Sequence, residues 1–158
     1  MKSDPGGGYA DRMEMGAPFA GGDARSRAER AAQILARDPR VRLVYLFGSA
    51  ARPGPAGARD LDLAVSAQPD LSFEEITSLA GRLSAEAGVP VGLVSLAEAP
   101  VVLAHEVVEG GVCLFARTPE DETEFVTRTR ARYWDWRPFL EEQWRLTGER
   151  LEERRRGD

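Results

Sequence analysis

The sequence predicts an α/β (α+β) protein, with a sheet of about four strands flanked by helices and a long helical segment at its C-terminal end. Three observations lead to this prediction. Apolar runs of strand length recur along the chain, segments with helical periodicity and capping residues lie between them, and the last part has only Pro138 and Gly148 as interruptions. A chain of 158 residues suits one compact domain with a single core.

The composition argues against several classes of protein. The formal net charge is −5 and the pI is ≈ 5.1, so no overall basic field attracts nucleic acid, and no direct nucleic-acid partner is expected. Cys113 and His105 are the single residues of their kinds, which excludes an intrachain disulfide and histidine- or cysteine-rich metal sites. No apolar run reaches membrane-spanning length and no signal-peptide pattern is present, so we expect a cytoplasmic protein with no membrane partner.

The N-terminal part of the chain is predicted to hold an arm and one helix. Residues 1–22 are rich in glycine and proline and lack periodic apolar positions, so they are predicted to be flexible. Asp23 can cap a helix that runs to about Arg37, where Asp38-Pro39 ends it. One face of this helix carries small and apolar residues, namely Ala28, Ala31, Ala32 and Leu35.

Two strands are predicted next. Residues Val41 to Phe47 are almost all apolar and end at a glycine, which is typical of a buried central strand, and Leu61 to Val65 form a second such run. The segment between them, from Ala50 to Arg59, contains two prolines and two glycines. It is therefore predicted to be mostly loop.

The second half of the chain alternates helix and strand signals. Ser72 and Glu75 form a capping box for a helix that runs to about Ala87, and Gly88 ends it. The remaining predicted elements are a strand from Pro90 through Leu96, a short helix over Pro100–Val108, a strand over Val112–Ala116, and one or two amphipathic helices from Pro119 to about Arg155.

Aromatic and basic residues alternate in the C-terminal segment. Tyr133, Trp134 and Trp136 lie among four arginines, an arrangement that suits either base stacking or a protein interface. The net acidity of the chain favours the protein interface. Because Trp134 and Trp136 are two positions apart, they point to different sides of a helix, and at least one is expected to be available to a partner. By contrast, Tyr45 is predicted to be a core residue, and His105 a packing residue or a surface acceptor and not a catalytic base.

Candidate phosphate-binding residues follow the first predicted strand. Gly48 has no Cβ, so the backbone there can approach a phosphate closely, and Ser49 adds a hydroxyl and an amide that can donate to triphosphate oxygens. Arg52 lies three positions further on, where it could contact a phosphate or remain an exposed structural arginine. These residues predict a phosphate-binding turn.

A pair of carboxylates follows after a gap of ten residues. Asp60 and Asp62 are two positions apart at a strand, so both side chains point to one face of the sheet. Two close carboxylates repel each other unless a cation joins them. Mg²⁺ prefers hard oxygen ligands and commonly uses one or two carboxylates together with water and substrate phosphates. The pair therefore predicts a metal site next to the nucleotide.

The motif FGSAAR followed by DLDLAV resembles the GS-x10-DxD signature of polymerase β-like nucleotidyltransferases. The length and the segment VPVGLVSLAEAPVVLAHEVVEGGVCLF resemble the minimal nucleotidyltransferases that act as antitoxins beside HEPN-domain toxins. The resemblance covers about Val41 to Phe115 and implies a mixed sheet. It also implies a minimal nucleotidyltransferase domain over residues 23–118, followed by a C-terminal helical extension over 119–158 that packs on the domain or on a partner.

The resemblance implies a function and assigns the site residues. Members of this branch typically transfer AMP from ATP to a tyrosine of the partner HEPN ribonuclease toxin and so silence it. Gly48, Ser49 and Arg52 are then the nucleotide-binding residues. Asp60 and Asp62 are the catalytic residues and the Mg²⁺ ligands. A lesser alternative within the superfamily is nucleotidyl transfer to a small molecule or to RNA.

One departure from the family pattern affects this expectation. Family members usually carry a third carboxylate on the strand that here reads VGLVSL, and this chain has Gly92 at that position and Ser95 at a second acidic position. Glycine has no side chain that could ligate metal or accept a proton. Three explanations stay open: Glu98 or another acid substitutes, the enzyme is slow, or the chain is an antitoxin that acts by binding alone.

Overall fold

The structure of the protein is a computed structural model that describes residues 21–52 and 59–157. Most of the predicted N-terminal arm and the middle of the predicted loop lie outside these residues. The elements in chain order are α1 (Gly21–Ala36), β1 (Val41–Phe47), a 3₁₀ turn (Gly48–Ala51), β2 (Leu61–Ala67), α2 (Phe73–Ala87), β3 (Val91–Ser95), α3 (Val101–Gly110), β4 (Val112–Ala116) and α4 (Pro119–Gly157).

The four strands form one mixed sheet, as predicted, in the order β3-β2-β1-β4. β1 is antiparallel to both β2 and β4, whereas β2 is parallel to β3 because α2 carries the chain back between them. β1 and β2 are therefore the two inner strands. Their largely apolar and buried sequences are typical of strands that are covered on both faces.

Helices cover both faces of the sheet. α1 and α2 pack on the face that carries Val44, Leu63 and Val65, and the alanine-rich side of α1 is buried there as predicted. On the opposite face, Val107 of α3 and Phe125 of α4 join a second cluster of buried residues with Leu43, Tyr45, Ala64 and Leu96. Side chains alternate along a strand, so Asp62 shares the face of Ala64 and points toward the side of α3 and α4.

The ends of α2 agree with the predicted capping residues. The Ser72 hydroxyl accepts from the N–H of Glu75 at 3.2 Å, and the Glu75 carboxylate accepts from the N–H of Ser72 at 2.7 Å. Gly88 ends the helix at φ 70°, a left-handed conformation that favours glycine. At α1 the prediction was off by one half-turn, because the helix begins at Gly21 and includes two residues assigned to the arm.

The C-terminal segment is a single helix that continues through Pro138, where one or two helices had been predicted. Phe125 and Thr129, in its first part, are buried against the sheet, but from Trp134 onward no residue of α4 is buried. Its 39 residues extend about 58 Å at about 1.5 Å per residue, and only the first part of this length packs on the sheet. Within the described residues, no helix combines the length and apolar character needed to cross a membrane.

A buried arginine joins α1 to the end of α2 and provides a test of the packing. Arg27 is 8% exposed, its Nε lies 3.0 Å from Asp23 Oδ2, and its Nη1 donates to the Ala87 carbonyl. Arg27→Met should lower the free energy of unfolding by about 2 kcal/mol, because it removes charge-assisted bonds made in a buried place. Urea denaturation measures this loss.

The matched control for Arg27 is its neighbour on the same helix. Arg25 pairs with Glu29 at 2.9 Å, but both side chains are about half exposed. Arg25→Met is therefore expected to cost less than about 0.5 kcal/mol. Equal losses in the two variants would contradict the structural role given to Arg27.

Candidate active site

The turn after β1 brings the backbone against Asp62. Phe47, the last residue of β1, pairs with Asp62 across the antiparallel ladder, and Gly48 then adopts φ 71°. A Cβ built at Gly48 would lie only 2.7 Å from Asp62 Oδ2, closer than real Cβ atoms approach. Gly48 is therefore required both by its left-handed backbone and by the space that the Asp62 carboxylate occupies. The sequence had suggested only the phosphate as the reason for this glycine.

The rest of the turn presents Ser49 and Arg52 to solvent. Residues Gly48–Ala51 form one 3₁₀ turn, which the Arg52 N–H closes by donating to the Ser49 carbonyl at 3.3 Å. Ser49 is exposed. The Arg52 side chain reaches α3, where Nη2 lies 3.2 Å from Glu106 Oε1. The turn therefore keeps the predicted nucleotide-binding residues together at the end of β1 where Asp62 lies.

Asp62 lies at the centre of the candidate site. It pairs with Phe47 on one side and with Gly92 of the parallel strand β3 on the other. A Cβ built at Gly92 would lie 3.1 Å from Asp62 Oδ1. Any side chain at position 92 would thus project directly toward the Asp62 carboxylate. In this chain β3 brings no carboxylate to that place.

The electrostatics of the site favour a cation. Burial, the first cause, raises the pKa of Asp62 above its ordinary value, and the nearby negative charges of Asp60 and Glu106 raise it further. Asp60 is exposed and immediately precedes β2, so the two aspartates flank Leu61 as the motif predicts. Every one of these effects would be relieved by a positive ion between the carboxylates.

The donor set suits Mg²⁺ bound together with a nucleotide. Asp60 and Asp62 supply hard carboxylate oxygens, and phosphate oxygens and water would complete the coordination. Across residues 21–52 and 59–157, no group of three or more His, Cys, Asp or Glu side chains is arranged to hold an ion. The site fits a metal that arrives with its substrate better than a permanent structural ion.

Sequence reasoning did not identify Glu106. The sequence left Glu98 or another acid open as one replacement for the missing carboxylate, and the charge from outside the DxD motif that raises the pKa of Asp62 is that of Glu106. Glu98 is exposed and follows β3 in a turn, with its N–H donating to the Ser95 carbonyl at 3.3 Å. Nothing in the local pattern of α3 distinguishes Glu106 from an ordinary solvent-facing glutamate. Only the crossing of α3 over the sheet brings it toward Asp62.

His105 and Tyr45 are packing residues, as predicted. The ring of His105 stacks on Tyr133 of α4, with centroids 3.6 Å apart and an interplanar angle of 6°. Tyr45 is 3% exposed and packs on Phe125 with centroids 5.7 Å apart. These contacts hold α3 and the first part of α4 on the sheet and fix the helix that carries Glu106.

A family model and a relative of known function both point to nucleotidyltransferases. A family model described as polymerase beta, nucleotidyltransferase matches residues 29–120. The protein adenylyltransferase MntA of Shewanella oneidensis is 35% identical to this chain over 101 residues, which make up 63% of this chain and 72% of that protein.

Solved structures agree with this similarity. A toxin–antitoxin structure with AMP-PNP matches at a TM-score of 0.61 and 29% identity, covering 73% of this chain and 98% of the matched chain. A tri-AMPylated Shewanella oneidensis HEPN toxin in complex with its MNT antitoxin matches at a TM-score of 0.62 and 28% identity, covering 77% and 98% respectively. The family model matches more than half of this chain, and the chain therefore belongs to the polymerase beta nucleotidyltransferase family.

Proposed function

We propose that this chain is an antitoxin-type nucleotidyltransferase that transfers AMP from ATP to a tyrosine hydroxyl of a cognate HEPN ribonuclease toxin and thereby neutralises it. The observation that carries the proposal is the position of Asp62. Its carboxylate lies between Gly48 of the phosphate-binding turn and Gly92 of β3, in a place where burial and the charges of Asp60 and Glu106 disfavour its ionised form. The Mg²⁺ that accompanies a triphosphate would supply positive charge at this place.

Each residue of the predicted motif has a role in this proposal. The backbone at Gly48 and the hydroxyl of Ser49 bind the triphosphate, and Arg52 pairs with a phosphate oxygen once it leaves Glu106. Mg²⁺, held by Asp60 and Asp62, would neutralise the charge of the phosphates and make the α-phosphorus easier to attack. The relatives support the choice of an adenine nucleotide as the substrate, since one was solved with AMP-PNP and another with a tri-AMPylated HEPN toxin.

The exposed part of α4 suits a protein partner. Beyond the domain, α4 carries large aromatic side chains that are 48% to 64% exposed, namely Trp134, Trp136, Phe139 and Trp144. Exposed aromatic groups of this size are uncommon on monomeric surfaces and are enriched in the centre of protein interfaces. We assign this aromatic part of α4 to toxin binding.

A second candidate function rests on Gly92. With no carboxylate on β3, the chain would neutralise the toxin by binding alone, using α4, and the motif residues would hold a nucleotide without transferring it. The two functions differ in what remains after the proteins are separated. Transfer leaves a modified and inactive toxin, whereas binding releases an active one.

The experiment that separates them measures the ribonuclease activity of the toxin after treatment. The toxin is incubated with this chain, ATP and Mg²⁺, then separated from it and assayed. We expect lasting inactivation by the unmodified chain and none by Asp60→Ala, while the exposed Asp70→Ala serves as the control and behaves like the unmodified chain. Full recovery of toxin activity after treatment with the unmodified chain would favour binding alone.

A further inference from the structure

The missing carboxylate at position 92 leaves the proton of the attacking hydroxyl without an evident acceptor. Asp60 and Asp62 are needed as ligands, and a carboxylate that ligates a cation is a weak base. Gly92 offers no side-chain atom, although a Cβ at this position would lie 3.1 Å from Asp62 Oδ1. A general base typically contributes about 10²–10⁴-fold to such a transfer, so its absence would leave a very slow enzyme.

Glu106 lies on α3 and contacts the turn that follows β1 through Arg52. Glu106 Oε1 lies 3.2 Å from Arg52 Nη2, and the Arg52 N–H closes the 3₁₀ turn. The first residue of that turn, Gly48, lies against the Asp62 carboxylate. The negative charge of Glu106 is also felt at Asp62. The contact with Arg52 therefore places Glu106 beside the phosphate-binding turn.

The surroundings of Glu106 suit a proton acceptor better than a metal ligand. Its side chain is 48% exposed, so an incoming hydroxyl can reach it. It does not complete a three-residue metal cluster with the two aspartates in the part of the chain that the structure describes. Arg52 pairs with the Glu106 carboxylate at 3.2 Å, and triphosphate oxygens would compete for that arginine and free the carboxylate.

We propose that Glu106 replaces the missing carboxylate of β3 and accepts the proton of the attacking hydroxyl. This inference rests on the proposed nucleotidyl transfer. The hydroxyl oxygen forms a bond to the α-phosphorus, and the bond from that phosphorus to the oxygen bridging to the β-phosphate breaks. Pyrophosphate leaves with the electron pair, and the hydroxyl proton passes to the Glu106 carboxylate and then to water.

The test is Glu106→Gln, which keeps the size of the side chain and removes its basicity. We expect kcat for AMP transfer to the toxin to fall about 100-fold, while the Kd for AMP-PNP with Mg²⁺, measured by calorimetry, changes less than about threefold. Glu109→Gln is the matched control, since Glu109 lies on the same helix but pairs with Arg130 at 2.8 Å, and it should leave both values unchanged.

A second variant tests whether the two positions share one role. Adding Gly92→Asp to the Glu106→Gln protein should raise kcat at least about tenfold, because it places a carboxylate next to Asp62. A single Glu106→Gln variant with unchanged kcat would overturn the inference and leave the proposed function standing. So would a loss of AMP-PNP affinity that matches the loss of activity, or a complete failure of Gly92→Asp to restore transfer. No transfer by the unmodified chain would overturn the proposed function itself.

Discussion

Replacing Asp62 with asparagine is expected to lower the rate of nucleotidyl transfer by about 10²–10³-fold and, in the absence of nucleotide, to raise the free energy of unfolding. The loss of transfer follows from the role proposed for Asp62, since a metal-binding carboxylate contributes several kcal/mol, or about 10²–10³-fold in rate. The gain in stability follows from its surroundings. Burial and the charges of Asp60 and Glu106 disfavour the ionised carboxylate. Asparagine is neutral and therefore avoids this electrostatic penalty.

The pH dependence gives this prediction a second observable. Because the folded-state pKa of Asp62 is raised, this group contributes stability at low pH that is lost as the pH rises through that pKa. The stability advantage of Asp62→Asn should therefore be largest near neutral pH and shrink on acidification. Urea midpoints measured at several pH values, with Asp70→Asn as the exposed control, check this. A variant that is less stable than the unmodified protein at pH 7 would contradict the described electrostatics.

Gly48→Ala is expected to damage both stability and nucleotide binding. Alanine at φ 71° costs about 1–2 kcal/mol, and its Cβ would stand 2.7 Å from Asp62 Oδ2, so the turn or the carboxylate must move. Either movement separates the phosphate-binding turn from Asp62. We expect a loss of about 2–3 kcal/mol in the free energy of unfolding and at least about a tenfold weaker Kd for AMP-PNP.

Gly81→Ala is the matched control for this glycine. Gly81 lies within α2, and a Cβ there would meet no atom within 4 Å. This variant should gain up to about 1 kcal/mol in helix stability and leave nucleotide binding unchanged. If Gly48→Ala bound AMP-PNP as tightly as Gly81→Ala does, the close approach of the turn to Asp62 would not be needed for nucleotide binding, and the prediction would be wrong.

Local patterns predicted most of the fold. β1 and β4 begin and end at the predicted residues, because their apolar runs are bounded by glycine or charge. The capping box at Ser72 and the glycine at 88 place α2 with the same accuracy. The extra half-turn of α1 was missed because Gly21 and Gly22 have low helix propensity, which the continuing helix overrides.

The candidate site was only partly visible in the sequence. Asp60, Asp62, Gly48 and Ser49 follow each other at a fixed spacing, so the motif could reveal them. Glu106 is distant in sequence and reaches the site only because α3 crosses the sheet and meets Arg52. The contact between Gly48 and Asp62 depends in turn on the pairing of β1 with β2, which no local pattern encodes.

The central claim is that this chain transfers AMP to a toxin although β3 brings no carboxylate to Asp62. The measurement that tests it most directly is incubation with ATP labelled at the α-phosphate, Mg²⁺ and the purified HEPN partner, in parallel with the Gly92→Asp variant. We predict label on the partner from the unmodified chain. Label from Gly92→Asp alone would identify a nucleotidyltransferase disarmed at β3, and label from neither protein would leave an antitoxin that acts by binding.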